Sequence, residues 1–321
     1  MFEALLNASD DEKMRFIAAV MKSSEAGQLL ESGDHAAGIA AYREAIALCP
    51  ACPTRGDYHL LLGCHFFAEG DVAAAETELL QALPGEGCSY PYEAHRRLAF
   101  VRAAQGRFRE ALADLTQAVA LGEDTAFVAQ ATAIYHLALG EIDAAGAAAA
   151  PDADLADCDL AARCRLALVR AEIARLLGDL SGCAASCAHL AELAGSDGLS
   201  SELGLSLAVL DRADGRPAPR DVVMATFADQ PDWATKAWSI LLEGKSAVDL
   251  MGELESLSWG ERAENLCQFH RLAGLLAEAA GDTAAARKHY QAARCEPFTQ
   301  WCLDHHLAAI ALSRLGATPS T

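Results

Sequence analysis

A glycine followed within a few residues by an alanine-rich run recurs through this chain at a nearly fixed interval, and no other feature restricts the fold so tightly. ESGDHAAGIAAYREAIALCP carries Gly33, AEGDVAAAETELLQAL carries Gly70, and AQGRFREALADLTQAVAL carries Gly106. ALGEIDAAGAAA carries Gly140, LLGDLSGCAASCAHLAEL carries Gly178, and AAGDTAAARKHYQAARC carries Gly281. The first five glycines are 37, 36, 34 and 38 residues apart. Such a period fits one helical hairpin per repeat.

Residue types within each period say how the hairpin closes. About seven residues before each glycine stands a small residue (Ala26, Gly63, Ala99, Ala133, Ala171, Gly274), and five after it stands another (Gly38, Ala75, Ala111, Ala145, Cys183, Ala286). Small side chains at facing positions let two antiparallel helices approach closely, and the glycine supplies the turn that ends the first helix. Tyr42, Leu79, Leu115 and Tyr290, followed three residues later by Ala45, Ala82, Ala118 and Ala293, form an apolar stripe on the second helix. One hairpin cannot bury that stripe alone, so neighbouring units must stack. Composition agrees: 52% of the 321 residues are apolar but only 6% are aromatic, as suits close-packed helices.

These features resemble the tetratricopeptide repeat family, most specifically in the first three repeats and the one anchored at Gly281. The fold that this implies is all-α, a right-handed superhelical solenoid of antiparallel helix pairs, with about eight hairpins and a cap. Pro50 stands where the family places a helix-ending proline. The family's tryptophan near the start of the first helix is replaced by His59, His95 and His270 near that register. The expected organisation is a capping helix region over 1–18, repeats one to five and the start of a degenerate sixth over 19–210, a proline-interrupted bend over 211–232, two further hairpins over 233–294, and a terminal capping helix over 295–321. Ser9, Asp10, Asp11 and Glu12 form a capping-box pattern that starts a helix near residue 10 and carries it to about Glu31. Pro151 shortens the second helix of the fourth repeat, and Pro217, Pro219 and Pro231 interrupt the bend.

The net charge of −20 disfavours nucleic acid and anionic lipid as partners, and no window has the length and apolarity of a membrane helix. The acidic residues Glu3, Asp10 and Asp11 stand where a secretory signal carries positive charge. Eleven irregularly spaced cysteines read as reduced thiols of a cytoplasmic protein. The CxxC in LCPACP, Cys49 to Cys52, reads as turn punctuation: no strand precedes it, and neither a haem histidine nor a second CxxC accompanies it. No nucleophile elbow, phosphate loop or zinc-protease pattern occurs, so the chain is expected to be no enzyme and to need no cofactor.

In the family that this chain resembles, first helices line a concave surface that holds a peptide. The corresponding positions are Leu60, Cys64, Arg96, Arg97, Phe100, Phe127, Ile134, Arg165, Val169, Glu172, Trp238 and Arg271. Of the five positions of the family's carboxylate clamp, here Ser23, Gly27, Leu61, Glu93 and Arg97, four depart, which argues against a reader of chaperone tails. A local excess of arginine remains, with Arg96, Arg97, Arg102, Arg107 and Arg109 in one hairpin and Arg163, Arg165, Arg170 and Arg175 on one helix. Either it meets an acidic, partly apolar segment of a partner protein, or it pairs with carboxylates of neighbouring repeats. The expected function is a protein-binding scaffold. One rival is a metal- or redox-linked accessory protein that uses Cys/His pairs such as Cys302, His305 and His306, with Cys295 or His289 nearby; another is a self-assembling structural protein.

Overall fold

The structure, a computed structural model, describes residues 9–50, 52–83, 87–123, 125–150, 160–197, 201–216, 233–244, 259–295 and 302–316. Fifteen α-helices and no strand occur among them. In chain order they are α1 (Asp10–Glu31), α2 (His35–Leu48), α3 (Arg55–Ala68), α4 (Val72–Ala82), α5 (Pro91–Ala104), α6 (Phe108–Ala120), α7 (Thr125–Ala138) and α8 (Ile142–Ala148). They continue as α9 (Leu160–Leu176), α10 (Leu180–Asp197), α11 (Ser201–Ala213), α12 (Trp233–Leu241), α13 (Trp259–Ala279), α14 (Thr283–Cys295) and α15 (Leu303–Gly316). Pro151, Pro217, Pro219 and Pro231 lie outside the described residues.

The repeating turn works as a two-residue device. The six anchoring glycines all have positive φ, as do Gly215 and Gly244. At the first turn Gly33 N–H donates to the Leu30 carbonyl and Asp34 N–H to that of Leu29, the paired bonds that close a helix on a left-handed residue. The following aspartate then caps the next helix: Asp34, Asp71, Asp179 and Asp282 each accept the backbone N–H three residues on. One Gly-Asp dipeptide therefore stops a helix and starts its antiparallel neighbour. The capping box at Ser9 and Glu12 is formed, and α1 ends at Glu31 as its pattern requires.

Close approach inside the hairpins depends on the small residues. A Cβ on Gly63 would lie 2.6 Å from Leu79 Cγ, one on Gly38 2.5 Å from Leu30, and one on Gly274 2.6 Å from the Tyr290 ring. Gly63→Val is accordingly expected to cost about 1–3 kcal/mol through overpacking, seen as a lower denaturant midpoint; an unchanged midpoint would mean that α3 and α4 have room to part.

Three first-helix histidines clasp their own hairpins. Each faces the residue 19 positions on: His59 Nδ1 lies 2.7 Å from Glu78, His95 Nδ1 3.2 Å from Asp114, and His270 Nδ1 3.2 Å from His289 Nδ1. Burial pushes the Asp114 carboxyl up, and His95 and Arg102 pull it back.

The chain divides into two compact units, Met1–Gln105 with Ala113–Glu123, and Gly106–Leu112 with Asp124–Thr321. In the first, the α1/α2 and α3/α4 hairpins stack in order and α5 packs on α3 and α4. Its cores gather the stripe residues Tyr42, Ala45, Leu79 and Ala82 with Tyr58, Leu62 and Leu98.

In the second unit the first helices of successive repeats pack side by side, α7 on α9, α9 on α11 and α11 on α13. From there α13 meets α15, and α15 returns to α7. Phe108 packs edge-on against His306 at 5.2 Å and against Tyr135 at 6.0 Å, fastening this closure. The inner wall of this unit is thus lined by its own helices, and α9 is buried on nearly every side. Leu205, Leu207, Leu210, Trp233 and Leu272 join α9 in one large core.

Candidate functional site

The first-helix positions named from the sequence separate by unit. In the first, Leu60 is buried in the core with Leu98 and Val101, while Cys64, Arg96, Arg97 and Phe100 are half-buried. Cys64 on α3 lies within electrostatic reach of Arg97, Glu93 and Arg96 on α5, and burial pushes its thiol up. Leu61, one turn before Cys64, is 46% exposed. These residues lie on two neighbouring first helices.

The arginines there are not bare charges. Arg97 Nε donates to Glu93 Oε1 at 2.7 Å. Arg96 reaches the same carboxylate and lies 3.2 Å from Glu123. Arg102 bonds Asp114 at 2.6 Å, Arg107 pairs with Glu110, and Arg109 meets Glu141 at 2.9 Å. The Glu141 carboxyl is held down by His136 first and by Arg109 second. On α9, Arg170 caps the Ala149 and Ala150 carbonyls and Arg175 binds Asp214 at 3.2 Å. Of the two readings of the arginine excess, pairing with carboxylates is the one formed at most of these positions.

In the second unit Phe127 is half-buried and Arg165 exposed, but Ile134, Val169, Trp238, Glu172 and Arg271 are all inside. Arg271, 2% exposed, places Nη1 at 2.6 Å from Glu172 Oε1 and Nε at 2.6 Å from Asp304 Oδ1. Burial works against charge on Arg271, but its two carboxylates outweigh that and keep the guanidinium firmly protonated. This arginine joins α9, α13 and α15 across the interior of the unit. It holds the fold and offers nothing to a docking segment.

The cysteine and histidine pairs behave as packing residues. No disulfide joins the described cysteines. Burial pushes the Cys49 thiol up to about 11 with Cys52 beside it, the reverse of a redox-active CxxC. Cys302, His305 and His306 are buried, Cys295 is exposed, and His289 is engaged with His270; among the described residues these side chains form no group of three metal-compatible donors. Cys183 and Cys187, one helical turn apart on α10, share the Arg216 guanidinium at 3.7 and 3.6 Å, but both sulfurs are buried. Among the described residues the one group of three metal-compatible side chains is His35, His65 and Glu69. No described helix is long and apolar enough to cross a membrane.

No family model matches the chain, and no curated protein matches it. Among solved structures it is similar to a tetratricopeptide repeat protein from Parabacteroides merdae, at 14% identity and a TM-score of 0.55, over 92% of this chain and 99% of that one. It is also similar to yeast Tom70, at 13% identity and a TM-score of 0.34 over 92% and 67%. The tetratricopeptide domain of P58(IPK) aligns at 13% identity and a TM-score of 0.29 over 94% and 99%. The first of these shows that the all-α helix-pair fold is that of tetratricopeptide repeat structures.

Proposed function

We propose that this chain is a non-enzymatic, cytoplasmic binding array that holds a segment of a partner protein on the first-helix face of α3 and α5. The observation that supports this reading is a difference in access. The first-helix positions Ile134, Val169 and Arg271 are buried among the chain's own helices, whereas Leu61, Cys64, Arg96, Arg97 and Phe100 keep exposed surface. Leu61, Cys64 and Phe100 supply apolar contact, and Arg97 supplies a planar fork. Because Glu93 already occupies that fork, a partner carboxylate must displace it, which favours an amphipathic segment carrying an acidic residue over a strongly acidic one.

A photo-crosslinking amino acid at Leu61 tests the surface in cells. Partner adducts are expected there and not at Leu80, which is comparably exposed on the second helix α4. Arg97→Glu is expected to abolish the Leu61 adduct while leaving the helical circular dichroism unchanged. Equal yields at both positions, or adducts that survive Arg97→Glu, reject this face.

A further inference from the structure

The turns of the first two hairpins bring together three side chains whose donor atoms could hold a metal ion. His35 is the first residue of α2, while His65 and Glu69 stand four apart at the end of α3, so the two adjacent repeats each contribute to one point on the surface. One donor atom from each of the three lies within 4.8 Å of the others, and His35 Nδ1 is 3.8 Å from Glu69 Oε1. The imidazoles of His35 and His65 stack at 5.1 Å with 19° between their planes. We propose that His35, His65 and Glu69 bind one late first-row divalent cation of the zinc type, clipping the first hairpin to the second.

Donor chemistry selects this class of metal. Two imidazoles and one carboxylate make an N2O set, which suits zinc and its neighbours, whereas calcium and magnesium require more oxygen ligands. Bond lengths near ~2.1 Å place tetrahedral donors about 3.4 Å apart, so the present cluster must tighten by roughly 1 Å. The side chains of His35 and Glu69 are 48% and 51% exposed, and rotation about their own bonds supplies that movement without shifting a helix. A chain of net charge −20 also concentrates cations near its surface. Three protein ligands leave a fourth position for water or for a partner's side chain.

Titrating metal-free full-length protein with zinc chloride in a calorimeter decides the matter. Wild type is expected to show one saturable site that weakens at least tenfold in His65→Ala and in His35→Ala, while His189→Ala, which removes an exposed histidine elsewhere, leaves it unchanged. Cobalt substituted at the site should give visible d–d absorption that both ligand variants lose, and each variant should retain the wild-type circular dichroism. Indistinguishable zinc isotherms for wild type, His35→Ala and His65→Ala, or the absence of a stoichiometric site, would overturn the proposal.

Discussion

Arg271→Met is expected to lower the stability of the second unit by about 3–5 kcal/mol, the usual cost of removing one partner from a buried ion pair. Its side chain is 3% exposed and that of Glu172 4%, so the methionine variant leaves a carboxylate in the interior without its bonded partner, with Arg175 as the remaining cation that acts on it. Glu172 must then either take up a proton or draw in water. Asp304, whose side chain is 17% exposed, is affected less. Adding Glu172→Leu to Arg271→Met should restore the larger part of the loss, because two apolar side chains can replace a buried pair where one orphaned charge cannot survive. Arg271→Lys should fall between, since a single ammonium cannot reproduce the two directed contacts from Nε and Nη1. Guanidinium denaturation gives the free energies, and amide exchange in α9, α13 and α15 locates them. A loss below about 1 kcal/mol in the single variant would show that the three helices are held by apolar packing alone.

Much of the hairpin was legible in the sequence because its determinants are local. Gly33 and Asp34 act within one turn of chain, and so do Ser9 and Glu12. That Gly63 is a small position was readable from the repeat, but not that the stripe residue Leu79 is what fills the space beside it. The histidines near the tryptophan register were visible as a departure, but not as clasps. Seeing that His59 meets Glu78 requires noticing that His95 with Asp114 and His270 with His289 share the same 19-residue separation. That signal was present in the chain, spread over three repeats.

The interior of the second unit was not legible, for a reason of distance. Glu172 and Arg271 lie 99 residues apart, and no period links them. Reading first helices as the lining of an open groove placed Val169, Trp238 and Arg271 on a surface, while packing among the unit's own helices makes them core. One local hint existed: RCRLALVRAEIARL in α9 has apolar residues on more than one face, which a helix with only one buried stripe does not need. The arginine excess could not be decided from the sequence either. A guanidinium reads identically in sequence whether it awaits a ligand or already holds Glu93, and only the fold distinguishes the two.

Acid is expected to weaken the second unit well before its carboxylates alone would account for it. Three of its histidines have their pKa lowered by burial. Burial pushes His305 down to about 4, with Arg294 adding to the effect. Burial also lowers His270, whose neighbour is His289, and lowers His289, whose neighbour is Lys288. Below an ordinary imidazole value of 6.5 the unfolded chain takes up protons that the folded unit refuses, so stability falls with pH until the folded rings themselves titrate. For His305 alone the window runs from about 6.5 to about 4, a loss of about 3 kcal/mol when complete and about 2 kcal/mol by pH 5. The buried carboxyls of Glu172 and Asp211, raised by burial, act in the opposite direction, so total stability is the wrong quantity to compare. The informative measurement is the difference between wild type and His305→Gln in denaturant midpoint at pH 7.5 and at pH 5, where the carboxylate contributions cancel. The wild-type midpoint should drop further than that of the variant, and parallel pH curves would show that His305 is protonated inside the folded unit without cost.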